Sequence, residues 1–306
     1  MLAACVSSVD PDIEIKRTSW GDPDLQGNWD YRTATPLATP EALGDRVHFT
    51  DAEKEEFEQG SAARGDAFVR KSGNYVGDEP WADRGLELTE ENRAALIIEP
   101  PSGQLPARTA YGRKLAGRYF GQMSTELTAG PEDRTVLERC IVGPLVPLRS
   151  MNFNNNVKII QSPTHVVILT EMVHDARIVP IQRTGKTIKT TGLPHWLGES
   201  VGYWEHDTLV VETTNFRAFA NLLGTSPSLH LTERFTMDDD SQLTYEFTVD
   251  DPAVFTHPWI ARQTLRRLNG RVYEYACHEG NVSMKFILRG SRLAEAQRSE
   301  SPPKPG

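Results

Sequence analysis

From Asn156 onward, apolar and polar residues alternate with a period of two, and turn residues break the pattern at short intervals. Period two puts successive side chains on opposite faces, which is the pattern of half-buried strands. Val157–Gln161 and His165–Met172 flank a Ser-Pro-Thr turn, and Arg177–Gln182 follows. Gly202–Glu205 and Thr208–Thr213 are joined by His206-Asp207, and Leu229–Thr236 and Gln242–Val249 flank an acidic turn. Trp259–Leu268 and Arg271–Cys277 are split by Asn269-Gly270, two residues that tolerate positive φ, which is the strongest hairpin signal in the chain. Ser283–Arg289 reads as the last strand and Asp24–Tyr31 as the first. Strands at hairpin spacing with no helical pattern between them predict a mainly β fold, an antiparallel meander closed into a barrel. Closure removes edges that would otherwise need protection.

The rest of the chain is organised around that sheet. Residues 1–19 read as a tether, 20–295 as a single barrel domain with a long, partly helical insertion at 32–150, and 296–306 as a disordered tail. In the insertion, Thr50-Asp51-Ala52-Glu53 has the N-cap and early acids of a helix start. Leu88–Arg93 and Ala107–Gln122 suggest two more helices. The insertion is expected to wrap a core that it does not build, and to cover the barrel mouth.

Composition excludes several classes. The net charge is −9, from 33 basic and 42 acidic residues, which argues against a nucleic-acid partner needing clustered cations. No apolar run reaches the ~18 residues of a spanning helix. There is no Gly-x-Ser-x-Gly, Walker or Gly-x-Gly-x-x-Gly motif. His174, Asp175, His195, His278 and Glu279 lack metal-site spacing, so neither a metal nor another cofactor is expected.

Three segments concentrate chemistry. Glu171-Met172-Val173-His174-Asp175-Ala176-Arg177 lies at a strand end, where a barrel mouth would be. His174 can move protons near neutrality, Asp175 can hold its tautomer, and Arg177 can bind a carboxylate. In Tyr273–Asn281, alternation puts Tyr273, Tyr275 and Cys277 on one face and Glu274, Ala276 and His278 on the other. Either face would bring ionisable or phenolic groups to a cavity. Asn152–Asn156 offers side-chain amides, chiefly Asn154 and Asn156, to orient a polar ligand group, although a plain Asn-rich turn is the better explanation. Of Glu233 and Arg234, which face opposite sides of a strand, one is expected inward. A charged turn and a cross-strand surface pair remain the plain alternatives for the first two segments.

Gly27-Asn28-Trp29 resembles the Gly-x-Trp of the first strand in lipocalin-like (calycin) barrels. That resemblance implies a basic residue from the final strand packed over the indole, and Arg289 is placed for it. Leu2-Ala3-Ala4-Cys5 resembles a bacterial lipobox, which implies lipidation of Cys5 and a periplasmic or outer-membrane-anchored protein. Cys140 and Cys277 then remain, either as a disulfide of an exported domain or as two buried thiols.

Longer stretches resemble a large family of exported proteins of soil and aromatic-degrading bacteria. They are Asp24–Trp29, 131–134 with 138–140, Glu171–Ile178, 196–198 with 202–205, Thr208–Phe216, His230–Phe235, Tyr245–Pro252 and Tyr273–Gly280. The resemblance implies export and brings no activity with it. A weaker likeness, at the level of fold, is to cofactor-free phenolic acid decarboxylases. Those barrels set tyrosines, an Arg and a Glu around an aromatic carboxylate, residue types found here in Tyr275, Arg177, Glu171 and Glu274.

The functional expectation is a cofactor-independent lyase or isomerase acting on a small aromatic or apolar carboxylate or carbonyl compound. His174, His278, Tyr275 and Glu274 would be its catalytic groups, and Arg177, Glu171, Asp175, Asn154 and Asn156 its binding groups. The alternatives are a non-catalytic small-molecule-binding lipoprotein and a metal-dependent hydrolase. The partner is a small molecule, with membrane contact only through a lipid at Cys5.

Overall fold

Burial follows the alternation residue by residue. A computed structural model describes residues 15–44, 46–71, 85, 87–89, 92–122, 128–143, 146–151, 153–184, 192–218 and 224–300. In it β1 is Gly27–Asp30, β2 Ile97–Glu99, β3 Asn156–Gln161, β4 His165–Thr170 and β5 Ala176–Pro180. β6 is Glu199–Glu205, β7 Thr208–Thr214, β8 His230–Met237, β9 Gln242–Asp250 and β10 Trp259–Arg267. In β8, Leu231, Glu233, Phe235 and Met237 point inward, and in β9 Leu243, Tyr245, Phe247 and Val249 do.

All ladder pairs between these strands are antiparallel, in the order β5-β4-β3-β1-β10-β9-β8-β7-β6. The two ends of this path meet through a single parallel bridge between Ile181 and Gly202. There the Gln182 N–H donates to the Gly202 carbonyl at 2.8 Å. The sheet is therefore a nearly closed barrel of nine strands, with β2 lying beside β10. Gly202 allows the ends to touch, because a Cβ there would stand 2.8 Å from Ile181 Cδ1 and 3.0 Å from Val179 Cγ1.

The barrel interior is filled. Trp29, Trp259, Phe235, Phe247 and Tyr245 are fully buried, with Phe247 packed edge-on to Trp259 at 5.7 Å between centroids. Burial of each such ring contributes about 2–3 kcal/mol. Residues 32–150 help build this core, contrary to expectation: Ile97 and Leu148 are fully buried in it, and β2 pairs with β10. Helix α1 (Asp51–Lys71) begins where expected, and its start is a capping box. Thr50 Oγ1 accepts from the Glu53 N–H, and the Glu53 carboxylate accepts from the Thr50 N–H. Helix α2 (Ala110–Gln122) buries Leu115 and Ala116. No helix forms among the described residues of 88–93.

The C-terminal region departs most from the sequence reading. Residues 271–276 form no strand, so Asn269-Gly270 closes no hairpin; instead Asn28 Nδ2 donates to the Gly270 carbonyl at 2.7 Å. Ser283–Glu300 is a helix, α3, not a strand. Arg289 therefore does not reach Trp29, and Arg267 of β10 covers that indole at 4.4 Å. The expected disordered tail is helical as far as Glu300; the rest of it, and Cys5, lie outside the described residues. Cys140 and Cys277 are joined by a disulfide.

Candidate functional site

The structure brings part of the expected site together, but as a docking surface for the chain. After β4 the backbone reverses through Val173 and His174, both in the left-handed region at φ 59° and 58°. For a β-branched residue that conformation costs about 1–2 kcal/mol. The turn presents Glu171 and His174 to segment 271–282 and Asp175 to Gly143. Glu171, only 3% exposed, accepts from Asn156 Nδ2 at 2.7 Å and from the Tyr273 N–H at 3.0 Å. His174 Nδ1 accepts from the Tyr275 N–H at 3.1 Å, which places the neutral ring's proton on Nε2. Asp175 accepts from the Gly143 N–H at 2.8 Å; burial pushes its carboxyl pKa up, and that bond offsets part of the rise.

Tyr275 stacks on Phe153 with 6.4 Å between centroids, and burial raises its pKa. Asn154 contributes a carbonyl, which accepts from the Tyr31 hydroxyl at 3.3 Å. Beside this cluster the disulfide fixes Cys277. Among the described residues segment 271–282 has no ladder partner, and Glu171 and His174 take two of its N–H groups instead. Glu274 and His278 are exposed and have no side-chain hydrogen bond or ion pair among the described residues. They do not join the other expected site residues.

Arg177 points the other way, into the barrel. Its Nη2 donates to Glu233 Oε1 at 2.9 Å while Nη1 bonds Oε2, a two-pronged pair across the interior. The Tyr245 hydroxyl donates to Glu233 Oε1 at 2.6 Å and accepts from the Leu148 N–H at 3.1 Å. Burial and the Glu233 carboxylate push the Tyr245 pKa well above the usual phenol value. Burial alone would lower the Arg177 pKa, but Glu233 outweighs it and raises it. Arg177 thus already holds a carboxylate and is not a free anion anchor. Of the Glu233 and Arg234 pair, Glu233 is the inward one, and Tyr245 is a site residue that the sequence reading missed. Their signal was phase: each sits at an inward position between apolar neighbours.

An open space lies where the ladder is incomplete. β5 and β6 touch at Ile181 and Gly202 and part before that point. This leaves a cleft of 780 Å³ lined by Arg177, Ile178 and Pro180 on one wall and by His195, Leu197 and Ser200 on the other. Gln182, Arg183 and Glu199 also line it. Gly198 bends the second wall at φ +70°, where a Cβ would lie 2.7 Å from the Thr214 carbonyl oxygen. His195 Nε2 is 3.6 Å from Glu199 Oε1, and Asn215 Nδ2 donates to Glu199 Oε2 at 2.9 Å. Ser200 and Thr213 hydroxyls are hydrogen-bonded at 2.9 Å. Arg183 is held by both oxygens of Asp22. The cleft mixes an apolar body with a few polar groups, and its volume falls in the range of small-molecule sites. Among the described residues, no group of three or more His, Cys, Asp or Glu could hold a metal ion, and no helix is long and apolar enough to cross a membrane.

No protein-family model matches this chain, and no curated protein shows significant similarity to it.

Proposed function

We propose that this protein is a lipocalin-like barrel that binds a small, mainly apolar molecule with one carbonyl or acidic group at the β5–β6 seam. The single observation behind this reading is the 780 Å³ cleft at the β5–β6 seam, where one bridge joins the ends of the barrel. The filled interior leaves the seam as the better place for a ligand. Ile178, Pro180 and Leu197 would cover the apolar body, and His195 and Gln182 would meet the polar group. The lipocalin-like assignment draws support from Arg267 on Trp29, a final-strand cation over the Gly-x-Trp indole. The disulfide favours an oxidising compartment and so an exported protein.

A cofactor-independent lyase or isomerase is the second reading. It is favoured by the cluster of Arg177, Glu233 and Tyr245, with Arg177 reaching the cleft. Under that reading, any turnover depends on Glu233 and Tyr245, and His174→Ala or His278→Ala leaves it unchanged.

Binding of 1-anilinonaphthalene-8-sulfonate, followed by its fluorescence, tests the first reading. Saturable binding by the native chain, abolished by Ile178→Trp with Leu197→Trp to fill the cleft, is expected. Binding that survives the filled cleft, or none at all, rejects it.

A further inference from the structure

We propose that the outward face of α3 docks on an anionic lipid bilayer. The helix is held with one face inward: Ser291 is buried and accepts from the Thr128 N–H at 3.0 Å, and Met284, Ile287, Leu288 and Ala294 are half-buried around it. Arg292 donates to the Thr128 carbonyl at 2.6 Å. At the other end, the disulfide pins Cys277, and Asn281 ties to the Cys277 carbonyl at 3.0 Å and accepts from the Ser283 N–H at 3.0 Å. The opposite face is therefore fixed toward solvent.

That face is apolar over the first three turns. Val282, Phe286 and Leu293 are 53%, 59% and 56% exposed. At 3.6 residues per turn they lie within about 40° of one another. Lys285, Arg289 and Arg292 line one flank of this stripe, within about 80° of Val282. Lys285 and Arg289 make no hydrogen bond or ion pair among the described residues. Arg292 is paired with the exposed Glu295 at 3.1 Å, and Glu300 stands at the last turn.

The chain as a whole carries −9, so a helix face with cations and no acid over its first three turns is a local reversal of sign. An apolar stripe bearing Phe and Leu, flanked by Lys and Arg, is the pattern of a helix lying in the plane of a membrane interface. Negatively charged headgroups supply the complementary charge, and the rings and aliphatic chains leave water for the acyl boundary.

The test is co-sedimentation of the full chain, disulfide intact, with vesicles of phosphatidylglycerol and phosphatidylcholine or of phosphatidylcholine alone. Binding to the anionic vesicles, falling with added salt and weak on the neutral ones, is expected. Lys285→Gln with Arg289→Gln should weaken it roughly 30-fold, equivalent to about 1 kcal/mol per cation. Phe286→Ser with Leu293→Ser should abolish it. All four positions are exposed, so circular dichroism and melting should not change. Absence of binding, or binding that both paired variants retain, overturns the proposal. A dimer that Phe286→Ser with Leu293→Ser dissociates, without vesicle affinity, assigns the stripe to a second copy and overturns it as well.

Discussion

The Arg267 guanidinium lies 4.4 Å above the Trp29 ring and joins the last strand of the barrel to the first. The same side chain donates to the carbonyls of Asp240, at 2.5 Å, and Gln26, at 3.1 Å. β1 and β10 share only two register pairs, Trp29 with Arg267 and Asp30 with Arg266. Arg267 thus covers a joint that few ladder hydrogen bonds hold. Gly27 makes room for it, since a Cβ there would meet Arg267 Nη1.

Arg267→Ala should therefore destabilise the fold by about 1–2 kcal/mol, from the lost cation–π contact and two charge-assisted hydrogen bonds. Arg289→Ala should change stability by no more than about 0.5 kcal/mol. Urea unfolding of both variants checks the pair. Equal losses would contradict the role given to Arg267.

The Arg177–Glu233 pair makes a second prediction. Glu233→Gln leaves a buried guanidinium without its carboxylate and should cost about 3–5 kcal/mol. Arg177→Met combined with Glu233→Leu removes both charges and should recover most of that loss. Chemical denaturation of the single and double variants measures the coupling. A double variant as unstable as the sum of its singles would mean that the pair is not coupled.

Tyr245 predicts a pH dependence with a definite sign. Its folded-state pKa lies well above 10.0, the value expected when unfolded. The unfolded chain therefore loses this proton first. Stability is fully present below pH 10 and falls above it, by about 1.4 kcal/mol per pH unit from this residue. Tyr275, whose pKa is also raised, adds in the same direction. Denaturation between pH 9 and 11 should show a shallower decline in Tyr245→Phe. A steeper one would contradict the assignment.

The disulfide closes a loop with a separation of 137 residues. On the chain-entropy account, it stabilises by about 5 kcal/mol. Cys140→Ser with Cys277→Ser should lower the melting temperature and speed amide exchange in 271–282, while Tyr273 and Tyr275 keep weaker protection from Glu171 and His174. Unchanged exchange in that segment would show that the side-chain bonds suffice without the covalent link.

The barrel was legible because half-buried strands write their burial into every second residue, and β3 to β10 fall within a few residues of the alternating runs. The C-terminal region was not. Phe286-Ile287-Leu288 is a short apolar run that fits a strand or a helix. The inward positions Met284, Ile287, Leu288, Ser291 and Ala294 have helical spacing, but a polar Ser at the centre hides it. Arg271–Cys277 alternates correctly for a strand, yet its backbone finds Glu171, His174 and the disulfide instead of a neighbouring strand.

The candidate site was legible in part for the same reasons. Glu171, His174, Asp175, Asn156 and Tyr275 do converge, because one turn and one covalent bond bring their segments together. Apart from the bond between the Asn156 and Glu171 side chains, their hydrogen bonds go to the backbone of this chain. Nothing in local spacing reveals the partner of Arg177, because Glu233 lies on β8 and meets it only across the closed barrel. The cleft has no sequence motif either, since it is the gap beside two strand ends joined by a single bridge.

Hydrogen–deuterium exchange with and without saturating 1-anilinonaphthalene-8-sulfonate tests the seam most directly. The account predicts added protection in 176–182 and 195–202 and none in 271–282. Protection confined to 271–282, with the seam unchanged, would contradict it.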